Sequence, residues 1–374
     1  MSQQLFCKPI GIVSLLGLFA LALSTSSCSC AQSEARRPPA EPEAVRQAVL
    51  DYSRGHQALL TRNVVEKPDQ TDEAYTAHIR NILVQEDFAQ LEKIAQQNRI
   101  EKGHLIGGVW KIWAFHNGTG WPVGTSKPKE SEWQGQFAIL KKWNAAYPNS
   151  TAARLSLAYL YINYSWAARG SGFADSITNA QWELFYERNA EAKAILLEAS
   201  SFTDKDPFWY ELMQLVAHDE GWTQPDAREL FDQAVAFEPG YYHYYVEYDR
   251  YLQPQWYGKP GDVQAFAEEI SSRVPEPDGS MFYFWIMSSR ACYCREALQD
   301  MPKASYPKLR TGYGNITRLY GVSNLNANRF AFMATTFKDK AAAGEAFASL
   351  TKMDEGIWTE QSVFDNSRDW ATAP

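Results

Sequence analysis

The sequence predicts an all-α fold, an irregular α-solenoid in which antiparallel helix pairs stack in a row with loops inserted between some of them. Apolar residues recur at spacings of three and four along most of the 374-residue chain, as on one face of a helix. One segment also carries small, aromatic and proline residues at the spacings of a helical repeat. The composition, 45% hydrophobic and 14% aromatic, is rich enough in apolar side chains to form such a core.

The repeat signal lies in the middle of the chain. The pattern A-x3-F-x2-A-x4-P, the second half of a tetratricopeptide repeat, is matched by Ala227, Phe231, Ala234 and Pro239. If Pro148 is taken as the equivalent helix-ending proline, the first helix of the next repeat is matched by Leu157, Ala158 and Tyr161. Small residues let neighbouring helices approach closely, and proline ends each pair. The array is therefore predicted to be tetratricopeptide-like.

Four segments are predicted along the chain: a signal peptide at 1–27, a flexible tether at 28–43, an N-terminal helical region at 44–130 and a tetratricopeptide-like domain at 131–374. The apolar spacing from Ala44 to Asn98 predicts two long helices. Glycines and prolines punctuate the stretch from Gly103 to Lys129, which also contains three tryptophans. We interpret this stretch as an ordered loop that can include short strands.

The N-terminus has the order of an export signal. Lys8 precedes the apolar run Ile10 to Leu23, which is shorter than the roughly 20 residues that span a bilayer. Thr25-Ser26-Ser27-Cys28 resembles the lipobox of bacterial lipoproteins, which implies lipidation of Cys28 and anchoring in the cell envelope. Thr25 stands where that signal usually has leucine, so cleavage near Ala31, giving a soluble periplasmic or secreted protein, is the alternative. The proline-rich stretch that follows is typical of an extended tether.

Charge and motifs exclude several functions. The chain has 44 acidic and 36 basic residues and no basic stripe, which argues against a nucleic-acid partner. It contains no G-x-S-x-G elbow, no H-E-x-x-H, no Walker loop and no dinucleotide fingerprint, so we expect no cofactor and no metal. An enzyme stays open as an alternative because the two carboxylates of a glycosidase can come from distant helices.

Two loop insertions are the candidate binding sites, because loops on a rigid solenoid commonly carry the binding residues. In the first, Arg169 precedes Gly170-Ser171-Gly172 and can bind a carboxylate through two hydrogen bonds, unless an acidic residue of the same protein takes it. In the second, Trp256 and Tyr257 can stack on a sugar or peptide or simply fix the loop. Gly258 allows either a positive φ or the close approach of another group to the backbone.

Three further clusters have structural explanations that we favour. His218-Asp219-Glu220 ends a predicted helix before Gly221, so capping is favoured over acid–base chemistry. His243 and Glu247, in the tyrosine-rich stretch 241–251, are spaced to share a metal on a helix but lack a third ligand, so aromatic packing is favoured. Cys292 and Cys294 would point about 200° apart on a helix, which predicts two thiols rather than a disulfide.

Several strings between about Trp133 and Trp358 resemble a bacterial family known only as a domain of unknown function. They are Ala153-Arg154-Leu155, Trp166-Ala167-Ala168-Arg169-Gly170-Ser171-Gly172, Asp206-Pro207-Phe208-Trp209-Tyr210, Gly221-Trp222, Gln255-Trp256-Tyr257-Gly258 and Asn324-Leu325-Asn326. The Trp-Tyr-Gly loop is the most specific of them, although Gln255 stands where arginine is expected. The resemblance implies tetratricopeptide-like helices, no known activity and no catalytic residues.

The sequence therefore favours a non-enzymatic envelope lipoprotein that binds or scaffolds another envelope protein or a peptide, with its candidate ligand-binding residues in the two loops. The alternative is a glycan-directed helical hydrolase or a carbohydrate-binding protein. Two carboxyl groups about 5 to 10 Å apart in a tryptophan-lined cleft would favour hydrolysis.

Overall fold

The computed structural model describes residues 43–61, 68–124, 127–170, 172, 174–292 and 301–373. These residues form helices, turns and one isolated β-bridge between His104 and Trp110. The predicted all-α class is therefore confirmed. The predicted signal peptide, the predicted tether apart from its last residue Glu43, and Cys28 lie outside the described residues.

The described residues form α-helices of 4 to 21 residues. They are α1 Glu43–Thr61, α2 Asp72–Val84, α3 Phe88–Glu101, α4 Lys111–Thr119, α5 Glu130–Ala146, α6 Thr151–Arg169, α7 Asn179–Ala199, α8 Pro207–Asp219, α9 Gln224–Phe237, α10 His243–Tyr251, α11 Asp262–Arg273, α12 Asp278–Ser288, α13 Tyr306–Tyr320, α14 Asn324–Thr336, α15 Lys340–Ala348, α16 Glu355–Trp358 and α17 Gln361–Thr372. Short 3-10 turns occur at Ala174–Ser176 and Met301–Lys303.

Local sequence explains where many of these helices begin. A side-chain oxygen of the residue before the helix accepts a backbone N–H of the first turn at α2, α3, α6, α7, α8, α9, α14, α15 and α16. Such a cap stabilises a helix by about 1 kcal/mol because it satisfies a donor that has no partner within the helix. The capping residues are Thr71, Asp87, Ser150, Thr178, Asp206, Thr223, Ser323, Asp339 and Asp354.

Alternate helices form a central row. In this row α4, α6, α8, α10, α12 and α14 each contact the next member. The helices between them in sequence pack against the row: α7 lies on α6 and α8, α9 on α8 and α10, and α13 on α12 and α14. The central row therefore holds together helices whose first residues are 35 to 56 positions apart in the chain.

The segment before α4 connects this row to the C-terminal half. The backbone N–H of Gly107 donates to the Tyr320 carbonyl at 3.0 Å, and the Asn326 side-chain amide donates to the Gly107 carbonyl at 3.0 Å. The indole N–H of Trp110 donates to the Gly240 carbonyl at 3.2 Å. The early part of the chain is thus hydrogen-bonded both to the middle and to the late part.

The residues of the predicted repeat are largely in the core. Ala227, Phe231 and Ala234 are buried on α9, and Pro239 follows directly after its C-terminal cap. The tyrosine-rich stretch packs there too, since Tyr245 contacts the rings of Phe231 and Phe282 at 5.2 and 4.3 Å between centroids. The preference for aromatic packing in this stretch is confirmed.

The prediction of a loop with short strands at 103–129 is wrong, because α4 lies inside it. Gly118 is part of that helix rather than of a turn. A β-carbon on Gly118 would lie 2.8 Å from the β-carbon of Ile79 and 2.9 Å from the Thr76 carbonyl, so glycine is needed where α4 crosses α2 closely. The stretch 44–98 also differs from the prediction, since it forms α1, α2 and α3 rather than two helices.

Cys292 is disulfide-bonded, so the predicted free thiol at this position is wrong. The prediction assumed helical geometry, whereas Cys292 follows the end of α12 at Ser288 and is not helical. The angular argument requires both cysteines to be helical, and Cys292 is not.

Candidate functional site

The two predicted binding loops meet in the structure. Arg169, the last residue of α6, is 7% exposed, and its guanidinium lies 5.2 Å from the ring centres of Trp166 and Trp182 and 6.0 Å from that of Trp256. Its Nη1 donates to the carbonyls of Gly170 and Gly172 at 3.1 and 3.3 Å. Arg169 therefore closes the glycine-rich turn with hydrogen bonds to backbone rather than to a carboxylate.

The Trp-Tyr-Gly loop is fixed against the end of α8. The Trp256 ring lies 4.4 Å from the ring of His218, and the Tyr257 hydroxyl donates to the His218 carbonyl at 2.7 Å. A β-carbon on Gly258 would lie 1.8 Å from the Leu252 carbonyl oxygen, so only glycine fits there. Tyr257 is 41% exposed, whereas Trp256 and Gly258 are partly buried.

The predicted helix end at 218–220 is confirmed, since α8 ends at Asp219 and Gly221 follows with a φ of +66°. His218, however, is only 2% exposed, and its Nδ1 lies 2.9 Å from an Asp219 carboxylate oxygen. The indole N–H of Trp166 donates to the other carboxylate oxygen at 3.0 Å. The residues expected to cap the helix instead form a buried polar group between the two loops.

A row of polar and aromatic side chains continues from this group along the central helices. Neighbouring helices α6, α8 and α10 each place three such residues at spacings of three and four, which puts the three on one side of the helix. We call this set the polar face: Tyr159, Asn163, Trp166, Glu211, Gln214, His218, His243, Glu247 and Arg250. Trp113 of α4 closes one side of it through contacts with Glu211 and His243.

Glu211 is the most perturbed carboxyl group of the polar face. It is 5% exposed and accepts hydrogen bonds from the Trp113 indole at 3.0 Å and from the Tyr241 hydroxyl at 2.6 Å. Burial, and after it the negative charge of Glu247, raise the pKa of Glu211 to about 8. Glu211 is therefore mainly protonated at neutral pH and is poised to act as an acid.

Glu247 lies in a similar position but has a different partner. Its side chain is 12% exposed, and its carboxylate is 3.3 Å from Nη1 of Arg250. Burial raises the pKa of Glu247, while the positive charge of Arg250 opposes the shift. The polar face thus holds two carboxyl groups in different environments, and the charge of Glu247 acts on Glu211. Glu247 is recognisable in the sequence by its spacing from His243, whereas Glu211 follows the Phe208-Trp209-Tyr210 string without a motif of its own and was not predicted.

His243 is enclosed by aromatic rings. It stacks on Trp113 at 4.5 Å and on Tyr242 at 4.1 Å between ring centres, and its Nε2 has no hydrogen-bond partner among the described residues. Burial, and with it the positive charge of Arg329, lower the pKa of His243 well below its usual range. The imidazole is therefore neutral. No set of three metal-ligating side chains comes together within the described part of the chain.

No protein-family model, no curated protein and no solved structure matches this chain. Among the helices that the structure describes, none is both long and apolar enough to cross a membrane.

Proposed function

We propose that this protein is an envelope lipoprotein whose tetratricopeptide-like array binds a peptide segment of another envelope protein along the polar face. One observation carries the proposal: buried side chains of this face hold hydrogen-bonding atoms without partners among the described residues. These atoms are Gln214 Oε1, His218 Nε2 and His243 Nε2. A buried polar atom without a partner costs free energy, and the backbone N–H and C=O groups of a peptide can satisfy such atoms.

The exposure of the polar face favours an extended ligand. Tyr159, Glu247 and Arg250 are half-buried, whereas Glu211 and His243 are 5% and 7% exposed. Only a narrow strip is therefore open to solvent. A single extended chain fits such a strip better than the broad surface of a folded domain.

The tetratricopeptide-like arrangement is supported by the central row of alternate helices and by the buried Ala227, Phe231 and Ala234. The proposed family membership rests on the quoted strings, of which the Trp-Tyr-Gly loop has a structural reason to keep its glycine. The envelope location is supported by the signal-like N-terminus and by the disulfide at Cys292, because disulfides persist in oxidising compartments.

Cross-linking of the tagged full-length protein in native membranes, followed by mass spectrometry, tests the binding role. Glu247→Gln removes a charge from the polar face, and Glu229→Gln removes one from an exposed position on α9. We expect one recurrent partner with the wild type and with Glu229→Gln, and its loss with Glu247→Gln. Recovery of no partner, or equal recovery with a folded Glu247→Gln variant, would contradict the proposal.

A glycan-directed hydrolase is the second candidate, favoured by the two buried carboxyl groups of Glu211 and Glu247. One is protonated near neutral pH and the other is paired with arginine, which is how glycosidases separate the roles of acid and base. If this candidate is correct, the purified protein will cleave soluble envelope glycans, and Glu211→Gln and Glu247→Gln will each slow cleavage about 10² to 10⁴-fold. Absence of cleavage by the wild type rejects it.

A further inference from the structure

A cavity of about 130 Å³ lies where the end of α3, the start of α4, the start of α8 and the end of α9 meet. Three cationic residues line it, namely Arg99, Lys102 and Lys205. In the part of the chain that the structure describes, Glu238 is the only acidic residue of the lining, and its Oε2 lies 2.5 Å from Nζ of Lys102. The lining therefore carries an excess of positive charge.

Arg99 is more deeply buried than the cationic lysines of the lining. Its side chain is 11% exposed, against 55% for Lys102, and its Nη1 is buried without a hydrogen-bond partner among the described residues. Carboxylate oxygens of Asp204 and Asp206 lie 3.6 Å from Nη2 and 3.8 Å from Nη1, which are ion-pair distances but too long for hydrogen bonds. A buried donor without an acceptor costs free energy, so this position favours a further acceptor.

Neither of the two nearby carboxylates is placed to supply that acceptor. The Asp206 side chain is fully buried and engaged through both oxygens: Oδ1 accepts the backbone N–H of Phe208 at 2.9 Å, as the cap of α8, and Oδ2 lies 3.2 Å from Nε2 of His116. The Asp204 side chain is 64% exposed, so its carboxylate stays hydrated. The Nη1 donor of Arg99 is therefore left for an anion that enters the cavity.

Apolar side chains form much of the remaining wall. Trp110, Ile112 and Pro207 are buried, and Phe237 is 38% exposed, so the lining extends to the solvent. The indole N–H of Trp110 already donates to the Gly240 carbonyl, which leaves its ring for contact with a ligand. The cavity volume equals about four water molecules at roughly 30 Å³ each. An anion with a short hydrocarbon part fits these walls better than a strongly hydrated inorganic ion.

We infer that this cavity binds a small organic carboxylate, with its charged group on Arg99 and Lys205 and its hydrocarbon part on Trp110 and Phe237. A planar guanidinium matches a carboxylate, and the Lys205 ammonium, which donates to the Ser200 carbonyl at 2.6 Å, keeps two further N–H donors. Because Nη1 of Arg99 is covered, the guanidinium has to turn toward the ligand on binding. The site is separate from the proposed function, since none of its lining residues belongs to the polar face.

Thermal unfolding of the purified full chain at constant ionic strength, with butyrate as the probe, tests this site. We expect butyrate to raise the melting temperature of the wild type, and butyramide, its neutral counterpart, to have no effect. The dissociation constant of acetate, from the same titration, should be about 10-fold higher than that of butyrate, because each buried methylene group strengthens binding about fourfold.

Arg99→Met and Lys205→Met each remove one charge from the cavity and should raise the dissociation constant of butyrate by about 10 to 100-fold. Lys205 is exposed, so its variant keeps the test valid if Arg99→Met fails to fold. Arg80→Met is the matched arginine control, because Arg80 is also half-buried, with an Nε that lacks a hydrogen-bond partner, but does not line the cavity. Lys93→Met, at an exposed position of α3 outside the cavity, is the lysine control. Both controls should bind butyrate as the wild type does.

The carboxylate can belong to a free small acid or to the C-terminal residue of a peptide, and a tripeptide ending in valine separates these sources. Binding at least as tight as that of butyrate, lost when the C-terminus is amidated, assigns the site to a peptide end, whereas weaker binding assigns it to a free acid. The inference is overturned if butyrate does not stabilise the wild type, if butyramide stabilises it equally, or if phosphate alone does so. Unchanged butyrate binding by Lys205→Met, or by a folded Arg99→Met variant, would also overturn it.

Discussion

Glu211 shows how burial on the polar face changes the chemistry of one side chain. Its pKa is raised to about 8 from an ordinary value of 4.5, so the folded protein holds a proton that the unfolded chain releases between these pH values. The unfolded state binds fewer protons across this window, and the free energy of unfolding therefore falls as the pH rises. The stabilising effect is complete below pH 4.5 and is lost as the pH rises through 8.

Glu211→Gln should remove this pH dependence. We expect the free energy of unfolding of the variant, minus that of the wild type, to increase by up to about 1.4 kcal/mol per pH unit between pH 5 and pH 8. Urea unfolding at several pH values measures it. Glu229→Gln, at an exposed position, serves as the control, and a constant difference between Glu211→Gln and the wild type would contradict the prediction.

Gly258 supports the Trp-Tyr-Gly loop by leaving room for the Leu252 carbonyl. Gly258→Ala should reduce the free energy of unfolding by about 1–3 kcal/mol, since the new methyl group has to displace backbone. Gly135→Ala is a matched control, because nothing lies within 4 Å of its β-carbon position on the exposed side of α5. The control should be neutral or stabilising by up to about 1 kcal/mol. Equal melting temperatures for both variants would contradict this explanation.

Some single residues were predictable from the sequence and others were not. Arg169 and Trp256 were candidates because of their place in loop insertions, and the structure brings the Arg169 guanidinium within 6.0 Å of the Trp256 ring centre. Glu211 and Arg99 carry no local signal, because their environment depends on which helices become neighbours. A sequence pattern shows the side of a helix on which a residue lies, but not the residues that face it.

At the scale of elements, α4 depends on the absence of a side chain at Gly118. Gly118→Ala should destabilise the protein by about 1–3 kcal/mol because the β-carbon would meet Ile79 and the Thr76 carbonyl. Gly314→Ala on α13, with nothing within 4 Å, is the matched control and should not destabilise. The melting temperatures of the two variants, measured by differential scanning calorimetry, test this prediction. Equal melting temperatures would mean that α2 and α4 can move apart to make room for the β-carbon.

Helices were predictable where periodic apolar residues and caps agree, as at α6 and α9. The prediction failed at 103–129 because glycine was taken as a turn residue, whereas Gly118 marks a close helix crossing. It also failed at Cys292, which lies beyond the end of α12. Glycine occurs both in turns and at close helix crossings, and cysteine occurs both as a free thiol and in disulfides. Only the neighbouring residues in the structure distinguish these roles.

At the scale of the whole molecule, the proposed lipid anchor can be tested by fractionation. Cys28→Ala should move the protein from the membrane pellet to the soluble fraction, because a lipid on Cys28 would be its link to the membrane. Cys30→Ala, two residues away, should leave it in the pellet. A wild-type protein that is already soluble would instead favour cleavage near Ala31.

The overall class followed from the sequence, but the order of contacts along the central row did not. Periodicity predicts that helices pair with their neighbours, yet it contains no information on the hydrogen bonds that join Gly107 to Tyr320 and Asn326. These contacts link residues more than 200 positions apart, and long-range pairing of this kind leaves no local pattern.

The hydrogen bonds that join Gly107 to Tyr320 and Asn326 should change how the molecule unfolds. In an open row of repeats, terminal pairs fray independently, and a shortened array keeps part of its structure. Here the segment around Gly107 is hydrogen-bonded to both sides of the junction between α13 and α14, so loss of the late helices removes partners from an early segment as well. A chain that ends after residue 300 should lose the protection of early backbone amides from hydrogen exchange, and the intact chain should melt in one transition.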